Sequence, residues 1–180
     1  MHDAAIEWLA GLFPIVPARG RLAVMFTDIE GFTACAAMRG NGAALRLLRR
    51  HDRAALPAIR AHRGRLVKRL GDGLMVAFAD PVEALAAALV MQRAAADVRL
   101  RIGIHAGQAR ARAGDLVGHD VNVASRIADR AGGGEILVSE RVRAAADGLA
   151  VGFRKLRPLV LGSGVPIAIY RVSPDAETPT

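Results

Sequence analysis

The sequence predicts an α+β domain with a ferredoxin-like βαββαβ core followed by a less regular α/β extension. Three observations predict it. Apolar strand-like stretches and segments of helical periodicity follow one another in the order β-α-β-β-α-β. The two middle strands flank a Gly-Asp-Gly turn at residues 71–73, which is typical of a β-hairpin. The second helix has a strong start signal, Asp-Pro-Val-Glu, at residues 80–83.

The first strand is predicted at Leu22–Phe26, a continuous apolar run that fits a buried strand. A helix is predicted over residues 43–62, where apolar residues share one stripe and arginines occupy the other face. Pro57 lies inside this segment, and we expect it to kink the helix. Residues 31–42 are expected to form a loop that leads into the helix.

Two short strands, residues 65–69 and 74–78, are predicted on either side of the Gly-Asp-Gly turn. The second helix is expected over about residues 81–96, because Asp80 can cap it and proline is favoured at the first helical position. The last strand of the core is predicted at residues 100–107.

The second half of the chain is expected to add short strands and helices to this core. Ser139 can cap a helix, and the glycines at residues 132–134 can end the helix before it. The predicted elements are a loop at 115–118, a helix at 121–131, a strand at 135–138, a helix at 139–146, and a terminal hairpin of residues 151–156 and 166–172.

The composition indicates one domain. A chain of 180 residues with 52% hydrophobic and 23% charged residues can bury its own core, which excludes wholesale disorder. We divide it into a lead-in at residues 1–20, a domain at 21–172 and a flexible tail at 173–180. The sequence has no apolar run long enough to span a membrane and no positively charged leader, so we expect a cytoplasmic protein.

Cysteine content and charge exclude further classes of protein. The single cysteine, Cys35, excludes an internal disulfide framework and a multi-cysteine zinc site. The net charge of +8 attracts polyanions, but only 4% of residues are aromatic, which argues against a base-stacking RNA-binding sheet. We interpret the arginines between residues 39 and 69 as the outer face of a helix, and we expect no nucleic-acid and no membrane partner.

Asp28 and Asp72 are candidate ligands for divalent cations. In the predicted sheet, the hairpin's second strand lies between its first strand and the first strand of the core, so the turn with Asp72 lies beside the strand end with Asp28. Two carboxylates this close need a cation between them, because each otherwise raises the pKa of the other. Divalent cations with oxygen ligands meet this need. Each aspartate alone could instead be a turn residue or a helix cap.

The segment after Asp28 can bind phosphate. Ile29, Phe32 and Thr33 belong to a loop that precedes a helix, and backbone N–H groups in such a position bind anions. This feature alone does not identify a ligand.

Four segments of the chain resemble, in order, the motifs of one family. They are FTDIEGFT at 26–33, VKRLGDGLMVAF at 67–78, RIGIHAG at 101–107 and GDLVGHDVNVASRIADRA at 114–131. Together they resemble the catalytic domain of class III nucleotidyl cyclases over about residues 21–170, and in particular its short bacterial, actinobacterial type. The resemblance implies the family's fold and an adenylyl cyclase, which converts ATP to 3′,5′-cyclic AMP and pyrophosphate.

The resemblance also implies roles for the first motif and the hairpin. Asp28 and Asp72 match the family's metal-binding aspartates and would hold two Mg²⁺ or Mn²⁺ ions per site, assisted by the Ile29 carbonyl. One metal would activate the ribose 3′-hydroxyl, and both would steady the triphosphate. The loop with Ile29, Phe32 and Thr33 would contact the substrate.

Two further pairs match the family's motifs. Lys68 and Asp115 match the pair that selects the purine: lysine only donates and ionised aspartate only accepts, which complements adenine but not guanine. Asn122 and Arg126 match the transition-state pair and lie four residues apart, hence on one helix face. Asn122 would position the ribose, and Arg126 would meet the charge that develops on the α-phosphate.

The resemblance implies a head-to-tail homodimer with two shared sites. One subunit would contribute the metal-binding aspartates and the other the purine and transition-state pairs. One position departs from the family: Leu161 stands where a phosphate-binding lysine is frequent. Either Lys155, Arg154 or Arg157 substitutes for it, or the affinity for the triphosphate is reduced.

Three alternatives remain open at this stage. The first is a guanylyl cyclase, which Lys68 and Asp115 argue against. The second is a catalytically weak or inactive nucleotide-binding dimerisation module, which Leu161 favours. The third is a nucleic-acid binder that uses the arginines of residues 39–69.

Overall fold

The computed structural model describes residues 19–95, 97–162 and 164–173, which form ten strands and four helices. The helices are α1 (Phe32–Ala61), α2 (Pro81–Ala94), α3 (His119–Asp129) and α4 (Glu140–Ala145). The strands are β1 (Arg19–Ile29), β2 (Arg65–Leu70), β3 (Gly73–Phe78), β4 (Leu100–Arg112), β5 (Asp115–Val117), β6 (Ile136–Ser139), β7 (Gly152–Lys155), β8 (Leu159–Val160), β9 (Pro166–Ile167) and β10 (Ile169–Ser173). The predicted lead-in and tail lie almost entirely outside the described residues. No helix in the described part of the chain combines the length and apolarity needed to cross a membrane.

The four core strands form an antiparallel sheet in the order β2-β3-β1-β4. This is the strand order of a ferredoxin-like βαββαβ unit, and it confirms the predicted fold class. The sheet continues through β6, which is parallel to β4, and then through β10 and β7. Because β3 lies between β1 and β2, the turn between β2 and β3 meets the C-terminal end of β1.

Helix α1 begins at Phe32, earlier than the sequence predicts, so residues 31–42 are mostly helical and the predicted loop is wrong. Within α1, backbone angles leave the helical region only at Gly40 (φ 75°, ψ 170°), where the helix kinks. The expected kink therefore lies at Gly40 and not at Pro57. Glycine weakens a helix and suggested a loop, but the alanine-rich segment before Gly40 favours a helical turn.

The predicted loop at residues 115–118 is also wrong, because it contains β5, which folds back on the end of β4. The connecting turn holds Ala113 and Gly114 at positive φ, 49° and 81°. Alanine is uncommon in this conformation, so the usual sequence signal of a tight hairpin is missing here.

The terminal strands are confirmed in part. β7 and β10 pair as an antiparallel hairpin, as predicted. Pro166–Ile167, which the sequence assigned to the second strand, instead forms β9 and pairs with β8 in a separate two-stranded sheet. Ser139 occupies the N-cap position of α4, but its side chain makes no capping hydrogen bond.

Helices pack on both faces of the sheet. Ala23 and Met25 of β1 belong to the larger core, which α1 and α2 cover. Leu22 and Val24 belong to a smaller core, which α3 covers. Successive side chains of a strand point to opposite faces, so a strand buried on both sides must be apolar throughout. The apolar run in β1 meets this requirement.

Helix α3 approaches β4 more closely than a side chain on the strand would allow. A Cβ at Gly103 would collide with the backbone of Ala128, and a Cβ at Gly107 would collide with the Asp120 carboxylate. Both glycines are therefore needed for the contact that holds α3 on the sheet.

We predict that Gly103→Ala lowers the free energy of unfolding by about 1–3 kcal/mol, because the added methyl group forces α3 away from β4. Gly42→Ala is the control: its Cβ would meet only the flexible end of Arg46, and alanine in the helix should stabilise by roughly 0.5–1 kcal/mol. Urea unfolding followed by circular dichroism measures both. Equal effects of the two substitutions would contradict the close contact between α3 and β4.

Candidate active site

Two carboxylates from distant parts of the chain lie together at the end of β1. Asp28 is the penultimate residue of β1, and Asp72 lies in the turn between β2 and β3. The Ile29 N–H donates a hydrogen bond to Asp72 Oδ2 at 3.1 Å. Gly73 allows this approach, because a Cβ there would collide with the Thr27 carbonyl oxygen. The structure therefore brings together the two aspartates that the predicted topology placed side by side.

Arg101 contacts Asp28, and the sequence analysis missed it. Its guanidinium forms an ion pair with Asp28, and the two side chains are 35% and 32% exposed. In the register of β1 and β4, Arg101 and Asp28 are direct partners. The sequence shows Arg101 as a charged residue near the start of the last core strand. Only the register of β1 and β4 shows that it lies opposite Asp28.

The carboxylates at this edge fit a divalent cation that is also bound by a phosphate-containing ligand. Asp28 and Asp72 supply hard oxygen donors, and Asp28 already attracts a positive charge, the Arg101 guanidinium. In the described ranges, no group of three or more His, Cys, Asp or Glu side chains could hold a metal ion. Two carboxylates are few for a closed protein site, but Mg²⁺ commonly binds one or two carboxylates together with substrate phosphates.

The N-terminus of α1 follows this edge directly. Gly31 occupies the N-cap in a left-handed conformation (φ 74°), and no side chain caps the helix. The Cys35 N–H donates to the Gly31 carbonyl at 2.9 Å, so the N–H groups of Phe32 and Thr33 have no acceptor within the helix. Glu30 is bound elsewhere, to the backbone of the loop before β6. The backbone here can therefore bind an anion.

Lys68 and Asp115 form an ion pair between β2 and β5. Lys68 Nζ donates to Asp115 Oδ2 at 2.6 Å, and the Leu116 N–H donates to Oδ1 at 2.7 Å. The hydrogen bond from Lys68 is the main cause that lowers the pKa of Asp115; burial opposes it and the Leu116 amide reinforces it. The carboxylate is therefore ionised at neutral pH and only accepts hydrogen bonds. Both side chains remain more than one third exposed, which leaves them accessible to a ligand.

Asn122 and Arg126 lie side by side on the exposed face of α3. They line a surface pocket of about 700 Å³ together with Leu161 and Gly162. Arg126 Nη1 donates to Asp129 at 3.1 Å, on the solvent side of the helix. Leu161 therefore lies beside the pair, at the position where the sequence analysis noted a missing lysine. Among the contacts of the described residues, no hydrogen bond or ion pair joins α3 to either aspartate at the end of β1.

Comparison with known proteins identifies the family. The family described as the adenylate and guanylate cyclase catalytic domain matches residues 16–159, most of the chain. The chain belongs to this cyclase family. A protein of Mycobacterium tuberculosis, described as uncharacterized, is 34% identical over 127 residues, which cover 69% of this chain and 44% of that protein. The predicted resemblance to class III cyclases is confirmed.

Solved structures agree with this assignment. An adenylate/guanylate cyclase/hydrolase from Silicibacter pomeroyi is 29% identical, with a TM-score of 0.78 over 88% of this chain and 99% of that chain. An adenylyl cyclase from P. aeruginosa shares the fold, with a TM-score of 0.79 at 23% identity over 90% of this chain and 98% of that chain. The chain spans about a fifth to under a half of the length of the curated relatives it matches.

Asp120 anchors α3 in the cyclase domain. Its Oδ2 accepts a hydrogen bond from the Gln108 N–H at 2.6 Å. His105 Nε2 and Arg141 Nη1 each lie 3.5 Å from the carboxylate. Gly107 leaves the space that this carboxylate fills. The first turn of α3 is thus bound to β4, and the exposed face of the helix is held in one orientation.

His105 is buried on β4 beneath this turn. Burial lowers its pKa from the ordinary 6.5; Asp120 opposes this effect, and Arg141 and His119 add to it. A histidine in the unfolded chain takes up a proton near pH 6.5, so below this pH the unfolded state binds more protons than the folded state. The contribution of His105 to the free energy of unfolding therefore decreases as the pH falls through this range.

We predict that the wild-type domain loses stability between pH 7.5 and pH 5.5, and that His105→Gln loses less over the same interval. One histidine contributes at most about 1.4 kcal/mol per pH unit. Urea unfolding at the two pH values measures the difference, and the other histidines cancel because both proteins contain them. An equal loss in both proteins would show that His105 is not the group that titrates.

Proposed function

We propose that this cyclase domain is an adenylyl cyclase that converts ATP to 3′,5′-cyclic AMP and pyrophosphate. The observation that carries the proposal is the ion pair of Lys68 with the ionised Asp115. The family includes enzymes for both purines, and a shared fold does not separate them. The choice of purine must therefore be argued from the groups that can contact the base.

The hydrogen-bonding polarity of the pair fits adenine. Adenine has an acceptor at N1 and a donor at N6, whereas guanine has a donor at N1 and an acceptor at O6. Lys68 can donate to N1, and the Asp115 carboxylate can accept from N6. Guanine would place two donors together and two acceptors together. A site built on such hydrogen bonds rejects the wrong partner strongly, because its polar groups are left unpaired.

Asp28, Asp72 and the Ile29 carbonyl would hold Mg²⁺ or Mn²⁺, with two ions per site. When bound, such ions lower the pKa of the ribose 3′-hydroxyl and neutralise charge on the triphosphate. Arg101 offers a fixed positive charge at the same edge, suited to a phosphate oxygen. The unpaired N–H groups of Phe32 and Thr33 can bind a further phosphate oxygen.

Asn122 and Arg126 of α3 would contact the ribose and the α-phosphate, the two groups that react. The ribose 3′-oxygen attacks the α-phosphorus, the bond to the bridging oxygen of the β-phosphate breaks, and pyrophosphate leaves. Asn122 would orient the ribose by hydrogen bonding. Arg126 is exposed and, among the described residues, pairs with the exposed Asp129 alone, so it can turn to meet the negative charge that develops on the α-phosphate.

The sites are proposed to lie between two copies of the chain in a head-to-tail homodimer. Within the described residues of one chain, no hydrogen bond or ion pair joins the aspartates to the α3 pair, although the proposed reaction needs both. A dimer with two-fold symmetry would place the aspartates of each copy opposite the Lys68, Asp115, Asn122 and Arg126 of the other, and would contain two equal sites.

One observation favours a second candidate, a nucleotide-binding dimerisation module with weak or absent catalysis. Leu161 lies in the pocket with Asn122 and Arg126, and Arg126 is the only Arg or Lys that lines the described part of this pocket. A triphosphate there would meet less positive charge than a lysine would supply. Binding of ATP without formation of cyclic AMP would favour this candidate.

We predict that the purified protein forms cyclic AMP from ATP in the presence of Mg²⁺ or Mn²⁺, and that Lys68→Glu with Asp115→Cys shifts its preference to GTP. The polarity reversal should lower kcat/KM for ATP by at least about tenfold, because it leaves polar groups unpaired. Chromatography of the products with each nucleotide and metal is the measurement. An unchanged ATP preference in the double variant would refute the assignment of the purine pair.

We predict that Asp72→Ala and Asn122→Ala are each inactive but restore activity when mixed. Random pairing of equal amounts gives about half hybrid dimers, each with one intact site, so the mixture should reach roughly a quarter of the wild-type activity. The control is each variant alone at the same total concentration. If subunit exchange is demonstrated and the mixture does no better than its components, the shared-site dimer is wrong.

A further inference from the structure

A buried histidine lies beneath the carboxylate edge. His51 is on the inner face of α1 and is completely buried. Its Nε2 lies 3.1 Å from the hydroxyl oxygen of Thr27, which is also buried. Burying an imidazole is unfavourable unless its polar atoms are bonded, so this contact offsets part of the cost of placing a histidine here.

The Thr27 hydroxyl has a second partner in the hairpin. It accepts the Leu74 N–H at 3.1 Å. Asp52 Oδ1 lies 3.7 Å from His51 Nδ1, which is too far for a hydrogen bond, and Nδ1 has no hydrogen-bond partner among the described residues. Asp52 in turn accepts two hydrogen bonds from Arg69 of β2, at 2.9 and 3.1 Å. A continuous set of contacts therefore joins α1 to β1, β2 and β3.

These contacts end at residues next to the two aspartates in the sequence. Thr27 directly precedes Asp28 in β1, and Leu74 follows Asp72 by two residues. Thr27 and Leu74 are also direct partners in the register of β1 and β3. The hydroxyl of Thr27 thus fixes β3 to β1 at the position that sets the spacing of the two carboxylates.

We infer that His51 is a positioning residue for the proposed cation site. It orients the Thr27 hydroxyl, which holds β3 against β1 and so keeps Asp28 and Asp72 at the spacing that binds divalent cations. Because it is completely buried, His51 itself touches neither substrate nor cation. The inference rests on the proposed function, since it concerns the same carboxylates. Removing a group that orients metal ligands commonly weakens metal affinity by about 10–100-fold.

Two pairs of variants separate positioning from a general effect on stability. Thr27→Val removes the hydroxyl, whereas Thr27→Ser keeps it. His51→Leu removes the buried imidazole. His62→Leu is the matched control, because His62 follows the C-terminal end of α1 and its imidazole bonds to Glu83 at 2.7 Å, away from the aspartates.

Each purified protein is titrated with Mn²⁺ in the presence of a methylene analogue of ATP that cannot be cyclised. Electron paramagnetic resonance measures the free Mn²⁺, and urea unfolding measures the stability of each protein. We expect the Mn²⁺ affinity to fall about 10–100-fold in Thr27→Val and His51→Leu. In Thr27→Ser and His62→Leu it should stay within about twofold of the wild type, even where stability falls.

Other outcomes overturn the inference in distinguishable ways. Unchanged Mn²⁺ affinity in a folded His51→Leu would reduce His51 to a structural role and leave the cation site intact. If His51→Leu does not fold, the two Thr27 variants decide the question. Equal Mn²⁺ affinities of Thr27→Val and Thr27→Ser would show that the Thr27 hydroxyl, and therefore His51, does not position the cation ligands. A wild-type protein without saturable Mn²⁺ binding would overturn the cation site itself, and the inference with it.

Discussion

The close approach of the β2–β3 turn to the end of β1 is the contact on which the candidate site depends. The absence of a side chain at Gly73 lets the turn reach the Thr27 carbonyl, and Asp72 then accepts the Ile29 N–H. A larger residue would move Asp72 away from Asp28 without changing the strand order. The strand order places the β2–β3 turn beside the end of β1, and the absence of a side chain at Gly73 allows Asp72 to lie close to Asp28.

Charge balance at this edge follows from the same approach. Two carboxylates side by side repel each other, and the Arg101 guanidinium of β4 places positive charge beside Asp28. Under the proposed function, a divalent cation would compete with Arg101 for the Asp28 carboxylate.

Sequence patterns that involve neighbouring residues, such as helix caps and apolar runs, predicted the core elements correctly. The predictions that failed concern the backbone conformation of glycine and alanine or residues whose partners are distant in the sequence. The Asp80 cap is confirmed, because capping involves neighbouring residues only; its Oδ1 accepts the Val82 N–H at 2.8 Å. The helical segment before Gly40 and the hairpin at Ala113 were missed, since glycine and alanine there are compatible with several conformations. Arg101 and His51 were missed because their partners are fixed only by strand register and helix packing. The sequence placed Asp28 and Asp72 at one edge of the sheet, but it did not identify the residues that contact or support them there.

The β2–β3 hairpin has a further consequence for how this kind of domain can change over evolution. Lys68 and Asp72 lie four residues apart on the same hairpin, on either side of Arg69, which is bonded to Asp52 of α1. Inserting or deleting one residue between them would turn the following side chains to the opposite face of the sheet. Exchange of the side chain at position 68 leaves the backbone intact. Under the proposed roles, a point substitution can change the nucleotide preference, whereas a change in the length of this hairpin would displace Asp72 from Asp28.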